Sequence, residues 1–106
     1  MFKDPLREFR EAQQALNQLR TTIDQKRARK QELDRGIPEM QQKLRELQKD
    51  KKFREIPTLQ GDINSERNEL SRINYDLPRL ESQRRDIERQ IPEFERSIRE
   101  IKERRG

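Results

Sequence analysis

The stretch Leu47-Gln48-Lys49-Asp50-Lys51-Lys52-Phe53-Arg54-Glu55-Ile56-Pro57-Thr58-Leu59 decides the fold. On either side of it, apolar residues keep a seven-residue repeat. Across it, the repeat loses its phase.

Taking Phe9 as heptad position a, the first series of a positions is Phe2, Phe9, Leu16, Ile23, Lys30, Ile37, Leu44 and Lys51. Its d positions are Ala12, Leu19, Lys26, Leu33, Met40 and Leu47. The second series has Ile56, Ile63, Leu70, Leu77, Arg84, Ile91, Ile98 and Arg105 at a. Its d positions are Leu59, Glu66, Ile73, Leu80, Ile87, Phe94 and Ile101. Outside these sets the apolar residues are Met1, Leu6, Ala15, Ala28, Phe53 and Tyr75. Spacing that alternates between three and four is the seam of a coiled coil. No run shows the period of two that strands need.

The a positions Lys51 and Ile56 are five residues apart. Five steps of about 100° move the apolar stripe by roughly 140°. Local winding absorbs insertions of three or four residues, and a shift of five is harder to absorb. One unbroken helix would carry its two stripes on nearly opposite faces, whereas a turn brings both to one seam. Pro57 supports a turn, since it biases Ile56 away from the α region and suits the first turn of a new helix. No Gly or Asn stands between Leu47 and Ile56 to specify the turn type.

These features predict an all-α fold, an antiparallel coiled-coil helical hairpin with Pro-induced bends. The 106 residues read as one domain: arm one about 5–48, turn about 49–56, arm two about 57–105. Each arm of about 45 residues spans roughly 68 Å. Two registers pair a with d. In the tighter one Leu47 meets Ile56, Leu44 meets Leu59, Leu16 meets Ile87 and Phe9 meets Phe94. In the looser one Leu47 meets Ile63 and Leu16 meets Phe94. The looser register sets Lys26 against Arg84 inside the seam; the tighter one separates them and is favoured. The alternatives are a long parallel coiled-coil homodimer and a small bundle of shorter helices.

Local signals agree. Asp4-Pro5 is a good helix start, an N-cap acceptor followed by Pro. Gly36-Ile37-Pro38 is the strongest breaker of the first arm, yet Ile37 and Met40 hold the heptad phase, so a kink is expected and not a loop. Four segments share the order a-Pro-x-d, beginning at Ile37, Ile56, Leu77 and Ile91. Each Pro therefore sits at b, facing outward.

Composition bounds function. Only 27% of residues are hydrophobic and 44% are charged, too little for a layered core and enough for a narrow seam. Cys and His are absent, which removes disulfides, thiolate chemistry, imidazole catalysis and the common zinc sites. No apolar run is long enough to span a bilayer, and no signal-peptide core follows Met1. Carboxylates such as Glu81 and Glu95 stand four residues before Arg85 and Arg99, ordinary helical ion pairs. A catalytic acid needs a concave, dry pocket, which two helices do not build. No catalytic, cofactor or metal residue is assigned, and no small-molecule substrate is expected.

The net charge of +5 lies wholly in residues 1–53, with 14 Lys or Arg against 9 Asp or Glu. Two basic clusters are candidate contacts for nucleic acid or another anionic partner: Lys26, Arg27, Arg29 and Lys30 in mid-arm, and Lys49, Lys51, Lys52 and Arg54 at the tip. The plainer reading is that long Lys stems snorkel over the seam and the tip is solvated surface. Lys26, Lys30, Glu66 and Arg84 are polar seam residues, expected to set register. The expected role is a structural or scaffolding spacer, adaptor or assembly element acting through protein partners or self-association. A nucleic-acid-binding hairpin is the alternative. The setting expected is intracellular, cytoplasmic or nuclear.

The hairpin is checked with nitroxide labels at Gln13 and Glu95. One short intramolecular distance is expected at high dilution; in a parallel dimer the same pair within a chain would lie more than about 100 Å apart.

Overall fold

The computed structural model describes residues 4–105, so the placement of Phe2 in the seam and of Gly106 at the chain end lies outside the described residues. Two helices form an antiparallel hairpin, α1 over Pro5–Lys49 and α2 over Ile56–Arg105. Among the described residues there is no strand. The fold is the expected all-α hairpin, not a bundle of short helices.

Sequence chemistry sets each helix end. Asp4 caps α1: its Oδ1 accepts from the backbone N–H groups of Leu6 at 3.1 Å and Arg7 at 3.4 Å. Pro5 takes the first helical position, where a missing N–H costs nothing. The last turn of α1 closes in a Schellman motif. The N–H of Lys52 donates to the Leu47 carbonyl at 2.9 Å, and that of Lys51 to the Gln48 carbonyl at 3.3 Å. Lys51 holds the left-handed position with φ 57°. Thus the turn uses a standard geometry with a residue that does not favour it. The chain then reaches Glu55, whose N–H donates to the Lys52 carbonyl at 3.3 Å and whose own carbonyl accepts from Leu59 at 3.3 Å. Pro57 falls in the first turn of α2, where the N–H groups are still unpaired.

Gly36-Ile37-Pro38 does not interrupt α1, and Pro78 and Pro92 lie inside α2. All three prolines are exposed, and each removes one helical hydrogen bond. Thr21 and Thr22 lie within α1, and their hydroxyls donate to the carbonyls of Asn17 and Gln18 one turn back.

The chain packs as two compact units. One is Gln25–Leu77 and includes the turn; the other comprises the described residues up to Asp24 together with those from Pro78 on. In both, burial follows the heptads. Every a and d residue from Phe9 to Leu47 and from Ile56 to Ile101 is buried or half-buried. Among the described residues the buried hydrophobics are Leu33, Ile37, Leu47, Ile63, Ile73 and Leu77 in the turn unit, and Leu16 and Ile23 in the other, with Ile23 and Leu33 the most completely enclosed. Each such side chain contributes about 1.5–3 kcal/mol through area removed from water. The series ends, Lys51 and Arg105, are exposed, as are Leu6, Ala28, Phe53 and Tyr75.

The register is the tighter one, read independently in each unit. In the turn unit Lys26 lies opposite Leu77, and its Nζ donates to Asp76. Arg29 and Glu69 occupy facing g positions and are bonded to each other. In the other unit Arg20 and Glu88 occupy facing e positions and are paired. The looser register would move each partner by seven residues, about 10 Å, out of reach.

Relieving the left-handed strain at Lys51 provides a test. Lys51→Gly should stabilise the hairpin by about 1 kcal/mol, measured by chemical denaturation.

Candidate functional site: cross-seam charges and the basic tip

The polar seam residues and the two basic clusters are the chemistry-bearing groups of this chain. The strongest polar contact joins the arms through Arg29. Its guanidinium grips Glu69 with two bonds, Nε to Oε1 at 2.8 Å and Nη2 to Oε2 at 2.9 Å. Nη1 donates to Glu32 at 3.0 Å on its own helix. Parallel Arg–carboxylate bonds of this kind fix orientation as well as distance. Hydrogen bonding from Arg29 holds the Glu69 carboxyl below its usual range, and the bonds to Glu69 and Glu32 raise the affinity of Arg29 for its proton. Both side chains remain about two-fifths exposed, so the pair orients more than it stabilises.

Lys26 is the more deeply placed mid-arm cation. Its Nζ reaches Asp76 Oδ2 at 3.4 Å, with both side chains about 30% exposed. The stem covers the seam at d while the ammonium emerges at the flank to meet the acid, as snorkelling requires. Lys30 is half-buried at a, and among the described residues it makes no ion pair. Arg27 faces outward. The mid-arm cluster is therefore split: Lys26 and Arg29 are engaged by acids of the other arm, while Lys30 and Arg27 are not part of those two bridges.

In the other unit, Glu88 gathers two cations. Arg20 reaches it across the seam at 3.4 Å, and Arg84 along α2 at 3.6 Å. Arg84 occupies an a position with its Nε buried and without a hydrogen bond, so the ion pair with Glu88 is its compensation.

Glu66 has the opposite situation. The burial pattern of residues 23–46 recurs unchanged over 63–86, which sets Glu66 in the place of Lys26 and Gly36 in the place of Asp76. Where Lys26 finds an acid, Glu66 finds a glycine. A Cβ on Gly36 would lie 3.8 Å from Glu66 Oε2. The missing side chain leaves room for the half-buried carboxylate beside the seam. Among the described residues Glu66 has no ion pair or hydrogen bond.

The tip cluster is different again. Lys49, Lys51, Lys52 and Arg54 are all exposed, and among the described residues none is ion-paired. Phe53 stands among them at 63% exposure. A shallow hollow of about 550 Å³ is lined by Lys51, Lys52, Phe53, Arg54 and Glu55. Another hollow, of about 530 Å³, is lined by residues including Leu19, Thr22, Gln83 and Ile87. Among the described residues no group of acids has the arrangement to hold a metal ion.

Sequence reading found the seam residues but not their partners. Glu69 and Glu88 were legible in principle, since the register sets g against g and e against e on the flanks, and Asp76 was legible as the neighbour of Leu77, the residue opposite Lys26. Comparison with protein-family models, with curated proteins and with solved structures yields no match.

Two outcomes test the Arg29–Glu69 lock. Arg29→Glu should lower the thermal midpoint, and the exchanged pair Arg29→Glu with Glu69→Arg should recover most of the loss. Because the folded carboxyl of Glu69 is depressed, its stabilising share is full above the ordinary value of 4.5 and drains away as pH falls through the folded value. Glu69→Gln should therefore show its deficit at neutral pH and lose it in acid.

Proposed function

We propose that this hairpin is a non-enzymatic connective element, a spacer or adaptor that works through protein contacts on its flanks. The observation that supports this reading is the use of the apolar residues. Nearly all of them serve the seam, and what remains outward is a charged surface with the well-separated exposed Leu6, Ala28, Phe53 and Tyr75. Such a surface suits small, separate contacts more than an enclosed site. The hollows that exist are shallow grooves beside the seam, without a converging set of acid, base and nucleophile.

The alternative is a nucleic-acid-binding hairpin using the tip and the mid-arm patch. The engagement of Lys26 and Arg29 by Asp76 and Glu69 weakens half of that footprint. The tip keeps its cations and an exposed aromatic, so the alternative rests chiefly on the tip.

Photo-cross-linking residues at Leu6, Ala28 and Tyr75 distinguish the two, read beside titrations with single-stranded and duplex oligonucleotides at low salt. The adaptor reading expects discrete polypeptide adducts from the flank positions and no saturable oligonucleotide complex. A complex whose affinity falls steeply with salt, with no flank adducts, would replace it by the nucleic-acid reading.

A further inference from the structure

The turn concentrates three features that no other part of the described chain combines: an exposed aromatic, adjacent cations on both sides of it, and a left-handed backbone position that holds them outward. Phe53 is 63% exposed. Lys52 and Arg54 adjoin it in sequence, and Lys49 and Lys51 precede them. The Schellman closure at Leu47, Gln48, Lys51 and Lys52 holds the backbone leading into this group. A large exposed aromatic ringed by unpaired cations contributes nothing to the seam.

We propose that the tip, Lys49 to Arg54, docks on an anionic lipid surface, with Phe53 entering the headgroup layer and the four cations meeting acidic headgroups. This deepens the adaptor reading, on which it rests, by naming what the turn end of the adaptor meets. Charge placement favours a lipid surface over a nucleic acid. Behind the tip the surface stops being basic: the next hollow is lined by Lys43 and Arg54 but also by Glu55 and Asp62. Further along the same unit, Arg29 and Lys26 are held by acids. A nucleic-acid strand laid along this unit would meet alternating signs after the tip, and one aromatic supplies one stacking platform where strand binding uses several. A planar anionic surface meets the tip end-on and needs only the tip. Lysine and arginine near such a leaflet each strengthen binding about fivefold, and an apolar Phe ring gains by burial at the headgroup–acyl boundary. Asp50 and Glu55 lie in the same turn and oppose part of this attraction, so the attachment is reversible.

The chain has no Trp, so Phe53→Trp places a single reporter at the tip. The full-length variant is titrated with phosphatidylcholine vesicles, with vesicles containing phosphatidylserine, with oligothymidylate and with polyglutamate. The nitroxide distance between Gln13 and Glu95, measured in parallel in the presence of each ligand, certifies the hairpin. The expected result is a blue-shifted emission with phosphatidylserine vesicles alone. Adding Lys52→Ala and Arg54→Ala should lower partition roughly 30-fold. Phe53→Ala in the otherwise native chain should lower vesicle co-sedimentation about tenfold. Equal response to neutral vesicles, no response to anionic ones, insensitivity to the two alanines, or a stronger response to oligothymidylate or polyglutamate would each overturn the proposal. With the hairpin distance intact, such a failure removes the lipid contact and leaves the adaptor reading standing; loss of flank adducts is what removes that reading.

Discussion

The five-residue step between the a positions Lys51 and Ile56 is the constraint on which the rest depends. A continuous helix would turn its apolar stripe by roughly 140° there, leaving half of it without a partner. Folding back places both stripes on one seam, and a chain only 27% hydrophobic can then bury what it has. The turn itself is tolerated more than encouraged. Lys51 accepts a left-handed conformation, and Pro57 is placed where its missing N–H is harmless. Stability comes from the seam, and the turn follows from it.

Once the arms face each other, register is set by features of different strength. The apolar layers permit more than one heptad alignment. Flanking charges discriminate, because Arg29 with Glu69, Lys26 with Asp76 and Arg20 with Glu88 meet in only one. Each exposed bridge adds little energy, but a slip of one heptad would lose all three and set Lys26 against Arg84. These three cross-arm bridges all fit the tighter alignment. The carboxylate of Glu66 opposite Gly36 shows the same seam tolerating a charge by leaving space for it.

The sequence was a good guide to the hairpin because heptad periodicity is a repeated signal. Each of Leu16, Ile23, Leu33, Ile37 and Leu47 reports the same face, and so do Ile63, Ile73 and Leu77. It was a good guide to the Asp4 cap and to helix continuity through Pro38, where Ile37 and Met40 kept phase. It was a poorer guide to the turn, since no Gly or Asn marked the left-handed residue and the backbone closure chose a lysine. Mid-arm cations looked like one basic patch because a linear sequence shows neighbours along the arm and hides acids on the other arm. Asp76 and Glu69 became visible as partners only when the register placed them. The tip kept its sequence reading as a cationic cluster, and the structure adds the exposure of Phe53 beside it.

If the loss of phase makes this chain a hairpin, restoring the phase should unmake it. The direct test is sedimentation velocity on the native chain and on a variant with two alanines inserted between Lys52 and Phe53 and Pro57→Ala, which brings the second stripe into phase with the first. The native chain should sediment as a monomer at all concentrations, and the rephased chain as an elongated dimer that dissociates on dilution. Identical sedimentation of the two, whether both monomeric or both dimeric, would contradict the claim and show that something other than the phase break dictates the fold.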